Sequence, residues 1–465
     1  MSASTQLPAP PPTRLEKLEL ENFRCFSRLE VEFHEKLTVI VAPNGGGKTA
    51  LLDAACFGWH YFVQGTDFEE LFKNLRNEDV RQVPKPDGTM IPMKPVRLHG
   101  TTLVAGERTE WTVEKGGKTA KNTSTQGADP MREAGRRLRQ ALQDNAEGKL
   151  VESVTLPTIG YYGTGRLWAP QKVTAARRRQ IKADTSPISG YDQCLSPSSR
   201  FALFEVWFAR YSLAALQEKY DGNASSHRSG DKLAGVKAAL DALLRPATGW
   251  HSFSFDVNNE SILALHDAHG ELPVSKLSDG LRIMIGLAGD IAHRCVRLNP
   301  HLGATAPQLT PGVIMIDEVD MHLHPEWQQL VLRALQDAFP LIQFIVTTHS
   351  PQVVTTARRE NIRMLIQTEM GTWEARMPDR NPYAHANSVA LETVMGGHAY
   401  PPTETVDMLR EYQRLVGAGE HDSADALELR SALEAEWGKT DPELLLMDVT
   451  IRKNETLRKL RDHHA

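Results

Sequence analysis

Four cysteines (Cys25, Cys56, Cys194 and Cys295) in 465 residues, with no metal-ligand spacing between them, exclude a disulfide framework and a thiolate metal centre. The expectation is reduced thiols in a cytosolic protein. No apolar run approaches the roughly 20 residues that cross a bilayer. The opening segment, with Pro8, Pro10, Pro11 and Pro12, has no apolar core and reads as a flexible leader over residues 1–13 rather than a signal peptide. No heptad array is long enough for extended coiled-coil arms. A formal charge of −5 excludes a uniformly basic surface. The C-terminal stretch has neither paired catalytic carboxylates in a glycine-rich frame nor a His/Asn nuclease pattern.

What is present is concentrated in a few short segments. Leu37-Thr38-Val39-Ile40-Val41 reads as a buried strand rich in β-branched residues. It runs into Ala42-Pro43-Asn44-Gly45-Gly46-Gly47-Lys48-Thr49, after which Leu51, Leu52, Ala55 and Cys56 carry a helical apolar period. A strand, a glycine-rich turn and a helix N-terminus make an anion site, because backbone N–H groups converge where the helix dipole favours negative charge. Asn44 to Gly47 form the backbone cradle. Lys48 brings an ammonium to terminal phosphates, and the Thr49 hydroxyl is the expected Mg²⁺ ligand. Ala42 stands where the usual pattern has Gly.

Val313-Ile314-Met315-Ile316 suits a strand buried on both faces and ends in Asp317-Glu318. A carboxylate there serves a hard cation's shell, so Asp317 joins Thr49 as a metal ligand. Glu318 is the expected general base that orients water for phosphoryl transfer. A third strand, Leu341 to Thr348, leads into His349, placed to reach a terminal phosphate.

These residues resemble a known group. Leu277-Ser278-Asp279-Gly280 is similar to the signature of ABC-type ATPases. Asp317 to Pro325 resembles the extended acidic motif of the RecF, SMC and OLD-like branch, as does the opening Leu18 to Phe26. The resemblance covers roughly residues 14–376 and implies an α/β fold: a two-lobed ABC-type P-loop ATPase head with a helical insertion and a C-terminal helical tail. It further implies a homodimer with ATP and Mg²⁺ sandwiched between heads. Ser278, Asp279 and Gly280 of one subunit would then meet the nucleotide held by the other's Lys48. Read without the family, Ser278-Asp279 is a good N-cap. Tyr161 to Trp168 falls at the Q-loop, with Gln171 as its glutamine. Arg166 either contacts a phosphate or partner, or belongs to an aromatic loop packing the lobes. Arg24 either reaches the nucleotide or pairs with a nearby acid.

The expected divisions are 14–130 (N-lobe with a hairpin around Gly106), 131–250 (helical lobe), 251–384 (signature, acidic pair and His349) and 385–465 (helical docking region). Phe201, Leu203, Phe204, Trp207, Phe208, Tyr211 and Leu216 have near-helical spacing and read as core. Phe253 to Leu272 reads as a hairpin turning at Asn258-Asn259. Basic clusters occur at Arg136-Arg137-Leu138-Arg139, at Arg177 to Lys182 and along Arg452 to Arg461. They read either as solvated helix faces or as phosphate-tracking patches.

The compact head, the Tyr161 to Arg166 loop and the helical tail together resemble ATPase subunits of Septu and retron-linked anti-phage systems. The resemblance implies a separate nuclease or toxic effector, with DNA or an RNA–DNA hybrid as a further candidate partner, and no membrane. Members of the OLD branch carry a toprim domain after the head, which this chain lacks, so no nuclease activity is expected from it alone. The alternative is a RecF/SMC-like repair ATPase that clamps DNA on binding ATP. A scaffold that binds ATP without turnover conflicts with Glu318. A transporter subunit conflicts with the residues after it.

Overall fold

The computed structural model describes residues 10–68, 74–116, 123–150, 153–166, 186–196, 201–220, 228–398 and 400–464. The apolar runs read from the sequence meet in one six-stranded sheet. Its spatial order is Trp373–Arg376, Ile362–Gln367, Leu37–Val41, Ile342–Thr347, Gly312–Ile316 and Thr158–Tyr162. Neighbours run parallel except for the antiparallel edge strand Trp373–Arg376. The strand preceding His349 lies between the cradle strand and the acidic-pair strand, so the carboxyl ends of all three open on one side.

Alternation along each strand sorts side chains onto two cores. Val39, Val41, Ile314, Ile316, Phe344 and Val346 face one. Ile40, Val313, Met315 and Ile345 face the other. Against the first pack helices Arg228–Thr248 and Asp279–Leu298. Against the second pack the cradle helix Lys48–Gly65 and an antiparallel sheet. That sheet has the order Phe26–Glu32, Arg14–Phe23, Val96–Val104, Glu107–Lys115 and Thr123–Ser124.

The hairpin around Gly106 is Val96–Val104 with Glu107–Lys115, pairing Val104 with Glu107. Its two turn residues, Ala105 and Gly106, both have positive φ (48° and 83°), the turn geometry that matches strand twist. Trp111 from this hairpin lies between Gly58 of the cradle helix and Gly100 of the neighbouring strand. A Cβ at either glycine would sit 2.4 Å from the indole. The Gln343 side chain accepts from Leu15 N–H (2.8 Å) and donates to Leu15 C=O (2.9 Å), fastening the antiparallel sheet to the central one.

Three expectations change. The Phe253 to Leu272 hairpin is a three-stranded sheet, Trp250–Asp256, Ser261–His266 and Gly270–Pro273. In helix Phe201–Tyr220, Phe204, Trp207, Phe208 and Tyr211 are buried, but Leu216 is 48% exposed because the helix outruns the core. The tail division falls later than residue 385. Helix Asn387–Thr393 puts Ala390 into the head's core, as does Val394 just after it, and the second unit begins at Gly397.

That second unit consists of helices Glu404–Ala418, Ala424–Trp437 and Pro442–His464. Leu409, Tyr412, Val416, Leu433, Leu444 and Met447 form its own core. Thr403 and Ser423 cap the first two helices, accepting from backbone N–H groups of Val406 and Ala426. Gly419 ends the first of them in the left-handed region. Among the described residues, no helix is long and apolar enough to cross a membrane.

Candidate functional site

The strand and helix expected on either side of the glycine-rich loop are present, Leu37–Val41 and Lys48–Gly65. Gly47 is the N-cap of helix Lys48–Gly65 and has φ 83°, a left-handed conformation that glycine adopts without strain. A Cβ there would lie 2.3 Å from the Phe26 ring and 2.7 Å from Cys25 Sγ. At Gly46 a Cβ would lie 2.7 Å from the Ala42 methyl. Glycine at 46 is therefore what leaves room for alanine where the usual pattern has Gly. Among the described residues no side chain caps this helix N-terminus, and no acid sits in its first turn, so its dipole and N–H groups face the loop. The Lys48 ammonium donates to the carbonyls of Ala42 (2.9 Å) and Pro43 (3.3 Å). Burial pushes its pKa down, while Asp317, Glu318 and Asp320 favour its charged form.

The acidic pair closes the site from the neighbouring strands. Asp317 is 1% exposed. Its Oδ2 accepts from the Thr49 hydroxyl at 2.7 Å, and its Oδ1 accepts from the Thr347 hydroxyl at 2.5 Å. The Glu318 N–H donates to that same Thr347 oxygen at 2.7 Å. Backbone bonds extend the clamp: Asp317 N–H to Tyr162 C=O (2.8 Å) and Val319 N–H to Thr347 C=O (2.9 Å). Glu318 takes φ 49°, a conformation that costs a non-glycine residue energy and that these bonds impose. Asp320 accepts from Thr348 Oγ1 at 2.5 Å. Thr347, Thr348 and Asp320 join the site without being among the residues expected from the sequence. The signal was a pair of hydroxyls ending an apolar strand immediately before His349, and a third acid following Asp317-Glu318. His349 is half-buried, two residues beyond Thr347.

Ser278 and Asp279 are exposed, whereas Gly280 is buried. Ser278 caps helix Asp279–Leu298, accepting from Leu281 N–H at 3.5 Å, and Asp279 pairs with Arg282. Gly280 is required by space: a Cβ would lie 2.4 Å from the His322 carbonyl, on the segment following Glu318. Among the described residues no hydrogen bond joins Ser278 to Gly280 with the 44–49 loop. Lys48, Thr49, Asp317 and Glu318 are gathered within one chain, and Ser278 and Asp279 are presented on the surface.

Arg24 bonds to Asp53 (2.5 Å) and Asp79 (3.0 Å), the nearby acids of its second expected role. Arg136 and Arg137 pair with Glu133 (3.2 Å) and Glu107 (2.8 Å), and Arg139 pairs with Asp67, so this basic cluster is neutralised within the chain. Gln171, Trp168, the Arg177 to Lys182 cluster and the side chain of Arg166 lie outside the described residues.

A glycine cradle feeding a helix and an acidic pair ending a strand two places along the same parallel sheet define a P-loop ATPase head. The family described as "AAA domain, putative AbiEii toxin, Type IV TA system" matches residues 119–355, and the chain belongs to it. A second family, "AAA ATPase domain", matches residues 14–80. The chain is similar to "Retron Ec83 probable ATPase" of Escherichia coli, at 25% identity covering 95% of this chain and 87% of the relative. It is also similar to "Retron Vc95 probable ATPase" of Vibrio cholerae serotype O1 biovar El Tor, at 35% identity over 36% of this chain and 32% of the relative. Similarity to "Septu protein PtuA" of Bacillus thuringiensis is 31% over 33% of this chain and 39% of that protein. The matched region thus spans only about a third of the Vibrio cholerae relative.

Proposed function

We propose that the chain binds and hydrolyses ATP as one head of a homodimeric pair, and that the pair governs a separate nuclease or toxic effector in prokaryotic anti-phage defence. The observation that carries the first half is the 2.7 Å contact between Thr49 and Asp317, which unites the phosphate cradle with the acidic pair across 268 residues of chain. The names of the retron and Septu relatives support the second half.

In this reading the N–H groups of Asn44 to Gly47 and the Lys48 ammonium hold the phosphates. A hydroxyl and a carboxylate in mutual contact are the oxygen donors a hard cation takes, so Thr49 and Asp317 fit Mg²⁺. Bound there, the cation neutralises charge on the phosphates. Glu318, set just beyond Asp317 by its constrained backbone, orients the attacking water and takes its proton. His349 senses the terminal phosphate. Ser278, Asp279 and Gly280, exposed or at the surface end of their helix, close over the nucleotide of the opposite subunit. The unit from Gly397 is the docking platform for the effector.

Light scattering on Glu318→Gln with and without ATP tests the pair: a nucleotide-dependent doubling of mass supports it, and a monomer at saturating ATP sinks it. Incubation of the pure chain with Mg²⁺ and DNA tests the effector in trans. Intact DNA is expected, and cleavage that co-purifies with the chain overturns that half.

A further inference from the structure

Tyr161 and Tyr162 end the strand Thr158–Tyr162, and adjacent strand residues face opposite sides of a sheet. Tyr161 belongs to the core that holds the cradle helix, and Tyr162 to the core that holds the signature helix. The Tyr162 hydroxyl donates to Asp290 Oδ2 at 2.7 Å. Asp290 lies in helix Asp279–Leu298, about three turns beyond Ser278. Its carboxylate also takes Arg294 Nε at 2.9 Å, and Arg294 donates onward to the carbonyls of Gly190 (2.9 Å) and Asp192 (3.1 Å). On the other face the buried Tyr161 hydroxyl is raised in pKa first by burial and then by the charge of Asp53, about one turn beyond Thr49 in the cradle helix. Asp53 in turn takes Arg24 at 2.5 Å. The backbone between the two phenols is itself tied to the site, since the Tyr162 carbonyl accepts the Asp317 N–H at 2.8 Å.

We infer that the Tyr161–Tyr162 pair is a positioning strut, in which Tyr161 fixes the phosphate cradle and Tyr162 transmits the state of Asp317 to the helix that carries Ser278. A phenylalanine would fill either space equally well. What tyrosine adds is one oxygen, bonded at 162 to a carboxylate of the Ser278 helix and set at 161 in the field of a carboxylate of the cradle helix. Asp290 keeps its charge in this setting: burial alone would raise its pKa, but the Arg294 guanidinium and the Tyr162 hydroxyl bring it below the ordinary carboxylate range. A hydrogen bond to a buried charge is directional and strong, which suits a connection that must carry small displacements. A helix anchored near its middle carries a shift of the strand end to its N-terminus as a rigid body.

The inference rests on the proposed reading that Lys48 and Ser278 serve nucleotides in a closed pair. Two single-oxygen deletions test it, each checked by a melting curve. Tyr162→Phe is expected to hold a fluorescent ATP analogue within about twofold of wild type yet lose about tenfold in kcat. Tyr161→Phe is expected to weaken that binding about fivefold and to keep kcat at saturating ATP within about twofold. A core role alone would lower both parameters in both variants, or neither, and either result overturns the strut.

Hydrogen exchange on the wild-type chain is independent of how the variants fold. A non-hydrolysable analogue should change exchange at Tyr162-Gly163 and at Ser278 to Arg282 together, and a response confined to one of the two overturns the inference. If wild type shows turnover while the Tyr→Phe variants show no split, only the strut fails. If wild type neither binds nor hydrolyses ATP, the underlying reading fails and takes the strut with it.

Discussion

The Thr347 hydroxyl donates to the Asp317 carboxylate at 2.5 Å and accepts the Glu318 N–H at 2.7 Å through the same oxygen. One side chain from the central strand therefore sets both acids. Thr347→Val keeps the shape but leaves a buried carboxylate oxygen without this donor and a backbone N–H without its acceptor. Each loss costs about 1–3 kcal/mol. We expect a lower melting temperature and at least about a tenfold loss of turnover, with Thr347→Ser restoring most of both. Phosphate release and calorimetry check this, and a fully active Thr347→Val variant would remove the residue from the site.

Lys48→Ala removes a cation that is held 2.9 Å from the Ala42 carbonyl and lies within the fields of Asp317, Glu318 and Asp320. ATP affinity should fall below detection in a filter-binding or fluorescence titration, because the phosphates then meet only backbone dipoles and carboxylates. The fold should survive. Unchanged affinity contradicts the cradle assignment.

Gly280→Ala places a methyl 2.4 Å from the His322 carbonyl, against backbone that cannot rotate away. Either the start of helix Asp279–Leu298 or the segment after Glu318 must move. The expected cost is about 1–3 kcal/mol of stability, together with loss of turnover. Ser278→Ala, which deletes only a cap that accepts at 3.5 Å, should cost about 1 kcal/mol or less. If melting curves rank the two variants the other way, the packing account of Gly280 is wrong.

Acid should destabilise the head from about pH 6.5 downward. Burial, reinforced by Arg132, pushes the His60 pKa down to about 4. Burial likewise pushes His293, whose ring lies tilted against Trp207, down to about 3, although Asp290 opposes this. Both stay neutral in the fold and take up protons more readily when unfolded. The stability they permit is present above the unfolded value and falls as pH drops toward the folded ones. Two such groups give at most about 2.7 kcal/mol per pH unit in that window. His293→Asn should flatten the slope of melting temperature against pH between 6.5 and 4, and an unchanged slope would show that the loss lies elsewhere.

The sequence by itself determined the central strands, the glycine-rich loop with its helix and the place of the acidic pair, because each depends on neighbouring residues. β-branched runs choose extended backbone, glycines permit the tight turn, and an acid ending a buried strand has few other uses. It determined that the tail is helical for the same reason. Only the tertiary structure decided which strand stands between Leu37–Val41 and Gly312–Ile316, and hence that Thr347 sets Asp317. It also decided that Arg24 belongs to Asp53 and Asp79, and that Gly280 answers to the His322 carbonyl. These contacts join residues far apart in the chain, and their energies depend on distance in space, which sequence spacing does not encode.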